Sequence, residues 1–177
     1  MLLDVTLQRD ARWANAIGGL TLDGQVLPFT IAALEAAVAD WATIVEDLRP
    51  CGSLALLDTA RAMVVQSYFR YDLLVQASLT ALQAVETAYR DELYPEASKK
   101  LAFQKLVKRS EREGYFDASQ AAAISAGVQI RNWLSHPDGL TAFSLGMAAG
   151  YIRPSHYIVR DVCLAGVARG RPSEGRS

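Results

Sequence analysis

Apolar side chains recur every three or four positions between residues 75 and 93, and this pattern constrains the fold more than any other. Its members are Val75, Leu79, Leu82, Val85, Tyr89 and Leu93. Such steps place side chains on one face of an α-helix, whereas a strand needs alternation. We therefore expect a long helix here with one face in the core.

Helical patterns separated by helix breakers continue over most of the chain after residue 30. The predicted helices run from Thr30 to near Arg49-Pro50, from Ser53 to Leu93 with a break at Tyr68–Tyr71, from Glu96 or Ser98 through LAFQKLVKRSERE up to Gly114, from Asp117 or Ser119 to about Ser135, from Ala142 to Ala149, and onward from Ser155. Several of these spans begin at capping residues, and several end next to Gly or Pro. The chain is thus predicted to be mainly α.

The first thirty residues show strand signals instead. Residues 3–8 alternate between apolar and polar side chains, and Asp23-Gly24 is a two-residue hairpin turn signal within GLTLDGQVLPF. We predict a small N-terminal β-hairpin or sheet. Trp13 and Gly18-Gly19 would lie in the connection between the alternating segment and the hairpin. The predicted organisation is strands plus a helix over 1–52, a helical bundle over 53–168 and a disordered tail over 169–177.

Composition favours one folded domain. Of 177 residues, 51% are apolar and 21% charged, enough to bury a core. No apolar run reaches membrane-spanning length and no secretory signal is visible, so we expect a cytoplasmic protein. Cys51 and Cys163 have no CxxC or Cys/His neighbour, which argues against a zinc knuckle and favours two buried thiols.

Positive charge is concentrated in one segment. Residues 1–93 hold 12 acids and 6 bases, whereas residues 94–177 hold 7 acids and 12 bases. All four lysines lie between Lys99 and Lys108, and Arg109 and Arg112 follow them. This segment is a candidate surface for a phosphate backbone, although its charge taken alone is explained better by a solvated helix face. Its candidate RNA-binding residues are Lys99, Lys100, Lys105, Lys108, Arg109 and Arg112.

Two charged residues fall inside apolar helix faces. On a helical wheel Glu86 lies about 40° from Leu82, within the stripe. Arg131 lies about 20° from Ile124 on the fourth predicted helix, inside its apolar arc. Because a buried charge needs a partner, we expect Glu86 and Arg131 to pair, either as a structural contact or as part of a site.

Three polar side chains, a permanent cation, an amide and an imidazole, lie close together in the sequence at the end of the fourth predicted helix. Arg131, Asn132 and His136 lie within the segment RNWLSH, just before Pro137. This segment resembles the Arg-polar-x-x-x-His motif of the HEPN superfamily (higher eukaryotes and prokaryotes nucleotide-binding domains). The resemblance covers roughly residues 55–166 and implies an antiparallel helical bundle, with two long helices preceding the motif helix.

Active HEPN proteins are metal-independent endoribonucleases, so the resemblance implies that chemistry here, without a cofactor or metal. His136 would move protons, Arg131 would stabilise phosphorane charge, Asn132 would orient the imidazole or a ribose hydroxyl, and Glu86 would hold the guanidinium. The resemblance also implies a homodimer with one composite cleft, into which the basic helix would guide RNA. A toxin or defence effector, neutralised by an antitoxin, is one role for such an enzyme.

Alternatives remain open from the sequence. One is a catalytically silent HEPN module that binds nucleotide or RNA, or that partners a nucleotidyltransferase. Another is a helical dimerisation protein with a structural Glu-Arg pair. A Ser135-His136-Asp138 hydrolase and a metal site of His136, Asp138 and His156 have little support, because neither has suitable spacing. We expect His156 to be structural.

Overall fold

The computed structural model describes residues 8–20, 26–97, 100–134 and 143–170. Within these ranges the chain is mainly helical, as the sequence predicts. The α-helices are α1 (Ile31–Thr43), α2 (Gly52–Gln66), α3 (Leu73–Ala88), α4 (Phe103–Arg112), α5 (Ala118–Leu134) and α6 (Leu145–Gly170). A 3₁₀ turn covers Ala11–Asn15, and a π-helical turn, Tyr89–Leu93, continues α3.

Two short strands precede the helices. β1 (Ile17–Leu20) pairs antiparallel with β2 (Val26–Pro28), with an irregularity between Ile17 and Gly19. An antiparallel pair in this region was predicted, but Gly18 and Gly19 belong to β1 and not to the connection. The predicted Asp23-Gly24 turn and most of the alternating segment 3–8 lie outside the described residues.

α3 is the central helix, packing against α2, α5 and α6. The short turn between α2 and α3 makes those two helices antiparallel, and it falls at the break predicted around Tyr68–Tyr71. α6 runs parallel to α3, because Gly166 contacts Glu92 while the Gly150–Ile158 part of α6 shares a cavity with Leu82. It runs antiparallel to α2, since Cys163 lies beside Ser53 and His156 beside Arg61.

Four of the six residues of the predicted apolar stripe, Val75, Val85, Tyr89 and Leu93, are buried in the core. The deepest face of α3, however, lies beside this stripe. Leu79 and Leu82 are half-buried, whereas a neighbouring face of small residues is buried almost completely. Small side chains let neighbouring helix backbones approach closely, so they select the contact face. That deepest face consists of Leu74, Ala77, Ser78, Ala81, Ala84 and Ala88.

Helix ends follow local signals. Gly114, with φ of 76°, ends α4 in a Schellman motif, in which the Tyr115 amide donates to Ser110 O and the Gly114 amide to Glu111 O. Asp117 and Gln120 exchange side-chain-to-backbone hydrogen bonds at the start of α5. The predicted Gly114 stop and the predicted start of α5 are confirmed.

Three predicted boundaries were wrong. α1 ends at Thr43, well before Arg49-Pro50, because tight i to i+3 turns follow it. α4 begins at Phe103, after an extended Ala102. α6 is one helix through Pro154, where two were predicted; its buried Ile152, His156 and Val159 hold it against the bundle, and Ser155 bonds Tyr151 O instead of capping.

The C-terminal end of α6 extends into the segment predicted to be a disordered tail. α6 continues to Gly170, so residues 169 and 170 of the predicted disordered tail are helical. Residues 171–177, the remainder of that tail, lie outside the described ranges.

Candidate functional site

The candidate motif lies at the C-terminal end of α5. Arg131 and Asn132 belong to the last turn of this helix, which is described as far as Leu134. The side chains of Arg131 and Asn132, and the whole of His136, lie outside what the structure describes, as do Ser135 and Asp138. The helix therefore extends through the Arg131-Asn132 pair, as predicted, whereas its end near Ser135 and the catalytic roles remain predictions.

Glu86 lies at the edge of the α3 core face, with its side chain 21% exposed. Its Oε1 accepts hydrogen bonds from Arg90 Nε and Nη2 at 2.9 and 2.7 Å. Arg90 Nη2 also donates to Leu101 O at 2.9 Å. Glu86 thereby orients a guanidinium that holds the segment leading into α4.

The helix directions bear on the predicted pairing of Glu86 with Arg131. Phe116, just before α5, packs on Tyr89, and Gly127 packs on Leu82, so α5 runs antiparallel to α3. Glu86 and Arg131 each lie one helical turn beyond the Leu82–Gly127 contact, in opposite directions, roughly 12 Å apart along the axis. The pairing stays a prediction, and it requires long side chains reaching towards each other.

α4 presents a basic surface. Its apolar side, with Phe103, Leu106 and Val107, is buried, while Lys105, Lys108 and Arg112 are exposed on the opposite side. These three charges line an open cleft and form no ion pair with any described residue. We call them the basic face. Lys100 is also exposed, whereas Lys99 lies outside the described ranges.

Arg109, another predicted RNA-binding residue, is bound within the protein. Its Nε donates to Glu113 Oε1 at 2.7 Å, its Nη2 lies 3.2 Å from Glu96 Oε1, and its guanidinium lies 4.4 Å from the centre of the Tyr94 ring. Arg169 of α6 shares Glu96 and lies 4.7 Å from the same ring. Arg109 therefore joins α4 to the end of α6.

A second polar network joins α2 to α6. Burial lowers the pKa of His156 to about 4, so its ring is neutral at pH 7. Nδ1–H donates to Ile152 O at 2.8 Å, which leaves Nε2 to accept from Arg61 Nη1 at 2.8 Å. Arg61 is also ion-paired to Asp58. His156 is structural, as predicted.

An apolar cavity of about 330 Å³ lies between α3, α5 and α6. Leu82, Val85, Ile124, Gly127 and Ile158 are among its lining residues, and none of the lining side chains that the structure describes is charged. Such a lining offers nothing to bind phosphate. Among the described residues, the candidate phosphate-binding surface is the basic face of α4.

The sequence analysis did not identify Arg90, which binds Glu86, or Arg61, which binds His156. The Glu86–Arg90 spacing of four, typical of a helical ion pair, was a signal available in the sequence. The meeting of Arg61 with His156 had no local signal, because the two residues are 95 positions apart.

Metal and membrane features were searched in the same described ranges. These residues contain no group of three or more His, Cys, Asp or Glu side chains placed to hold a metal ion. None of their helices is long and apolar enough to cross a membrane.

Comparison with known proteins identifies no relative of this chain. The chain matches no protein-family model, no curated protein and no solved structure.

Proposed function

We propose that this chain is a metal-independent endoribonuclease of HEPN type, with Arg131 and His136 of two copies forming one site across a dimer axis. The observation that carries the proposal is the position of the basic face relative to α5. The short connection after Gly114 makes α4 and α5 antiparallel, and Phe103 lies beside the 123–130 part of α5. The N-terminal end of α4, with Lys105, therefore lies towards the end of α5 that carries Arg131.

This arrangement suits RNA because phosphates along the basic face would lead towards the motif. Arg112, Lys108 and Lys105 follow one another along the exposed side of α4 in that direction. Spaced cations track a backbone without reading sequence. At the end of the track, a guanidinium and an imidazole supply charge stabilisation and proton transfer for attack by the ribose 2′-hydroxyl.

The test is cleavage of mixed RNA by purified protein in chelator, comparing wild type with Arg131→Ala and His136→Ala. We expect fragments ending in 2′,3′-cyclic phosphate from wild type and at least about 100-fold slower cleavage by each variant. A matched oligonucleotide with a 2′-deoxyribose at the cleaved position should resist cleavage. Arg160→Ala, an exposed change elsewhere on α6, is the control and should cleave normally.

A second arm measures binding through the basic face. Lys105→Ala/Lys108→Ala should make the negative slope of log affinity against log salt shallower by about 1.4. Arg70→Ala/Arg160→Ala removes the same charge elsewhere and should leave the slope unchanged. RNA binding without cleavage by the dimeric wild type would replace the enzyme with a silent RNA-binding module. Cleavage that survives in both motif variants would refute the proposed site.

A further inference from the structure

The two cysteines of the chain meet in the folded protein. Cys51 precedes α2 and Cys163 lies in α6, yet both line one small cavity of about 190 Å³ with Arg49 and Glu92. Ser53 Oγ lies 3.0 Å from Cys51 Sγ and 4.0 Å from Cys163 Sγ. One hydroxyl group therefore contacts both thiols.

The two thiols have different surroundings. Cys163 is 6% exposed, and burial raises its pKa to about 12, with a further contribution from nearby Cys51. Cys51 is half-buried and is the N-cap residue of the 15-residue α2. Cys51 is therefore the more accessible of the two thiols, and Arg49, which lines the same cavity, is ion-paired to Glu92.

We propose that Cys51 and Cys163 are an oxidation site that forms an intramolecular disulfide in the presence of a hydroperoxide. Cys51 is the attacking residue, because it is the more accessible thiol. Cys163 is the resolving residue, since it lies buried beside it.

The chemistry takes two steps. The Cys51 thiolate attacks the peroxide, whose O–O bond breaks; this gives a sulfenic acid on Cys51 and an alkoxide that takes up a proton and leaves as the alcohol. The Cys163 sulfur then attacks Cys51 Sγ, the S–O bond breaks, and hydroxide leaves as water with the Cys163 proton. Two thiols and one hydroperoxide thus yield one disulfide, one alcohol and one water. The low thiolate fraction of Cys163 is offset by its fixed position beside the sulfenic acid.

The test treats the native protein with hydrogen peroxide and measures the intact mass. Wild type should lose about 2 Da, recovered by reductant, and proteolysis should show a Cys51–Cys163 peptide pair. Cys163→Ser should stop at the sulfenic acid and give a dimedone adduct on Cys51, whereas Cys51→Ser should give no adduct.

Several outcomes would overturn the proposal. They are an unchanged wild-type mass, a disulfide between two chains on a non-reducing gel, or equal dimedone labelling of wild type and Cys163→Ser. Ser53→Ala is the control for packing, because it keeps both thiols and should still form the disulfide. The intact mass of the peroxide-treated wild-type protein tests the proposal even if a cysteine variant fails to fold.

Discussion

His156 shows how one buried side chain sets the response of the protein to pH. Its ring lies between Ile152 O and Arg61, near Trp41, and is 0% exposed. Protonation would place a second positive charge against the Arg61 guanidinium in a buried site. Desolvation, the larger effect, therefore holds the folded-state pKa near 4, below the ordinary value of 6.5.

We predict that stability falls as the pH drops from 7 to 5. The unfolded chain binds a proton on this histidine below pH 6.5, whereas the folded chain binds it only near pH 4, so acid favours unfolding across that window. The expected loss by pH 5 is about 2 kcal/mol. Urea unfolding at both pH values measures it.

The two histidines of the chain supply the control for this prediction. His156→Phe should flatten the pH dependence, and it should lower stability at pH 7 by about 1–3 kcal/mol because Arg61 loses its acceptor. His136→Ala should keep the wild-type slope. An equal slope in His156→Phe would assign the pH response to other groups.

At the scale of the elements, α6 and the π-helical turn are locked together. The Tyr94 amide bonds Tyr89 O at 2.8 Å, which closes the π turn, and Arg169 donates to Leu93 O. The backbones of α6 and the π-helical turn approach each other closely at Gly166, where a Cβ would lie 2.4 Å from Glu92 O. No side chain fits between these two backbones.

Gly166→Ala should therefore destabilise the protein by about 2–3 kcal/mol despite the better helix propensity of alanine. Gly150→Ala is a matched control in the same helix, since a Cβ there would meet nothing within 4 Å. It should be neutral or raise stability by up to about 1 kcal/mol. Thermal unfolding of both variants checks this, and equal melting temperatures would contradict the close approach.

At the scale of the whole molecule, the N-terminal segment belongs to the same core as the helices. Trp13 is 1% exposed, donates from Nε1 to Ser67 O at 2.7 Å, and stacks on Phe29 with ring centres 4.7 Å apart. Asp10 bonds the turn between α2 and α3 through the Tyr68 carbonyl and the Tyr71 amide. These contacts tie Asp10, Trp13 and Phe29 to the bundle.

Trp13→Ala should lower the free energy of unfolding of the whole protein by about 3–5 kcal/mol, in a single transition. Leu27→Ala, at a residue that is 45% exposed, is the control and should have little effect. Circular dichroism and tryptophan fluorescence during denaturation measure the transition. A two-step curve with an unchanged helical step would show instead that the N-terminal segment unfolds separately.

Local sequence determined the helical class and several of the helix ends, because periodicity, Gly114 and the Asp117 cap act within a few residues. The basic character of α4 was also readable, since its apolar and charged positions separate by helical period. The motif RNWLSH is a local pattern too, and its catalytic role stays a prediction.

Only the tertiary structure decided which face of α3 is deepest, that Arg109 is held by Tyr94, Glu96 and Glu113, and that the two cysteines meet. Each depends on how distant segments pack. The direction of α5 along α3 follows from the Phe116–Tyr89 and Gly127–Leu82 contacts, and the position of Cys163 from the close approach of Gly166 to Glu92. Pairwise packing between helices fixes such contacts, and the spacing of residues along one helix carries no information about its partner.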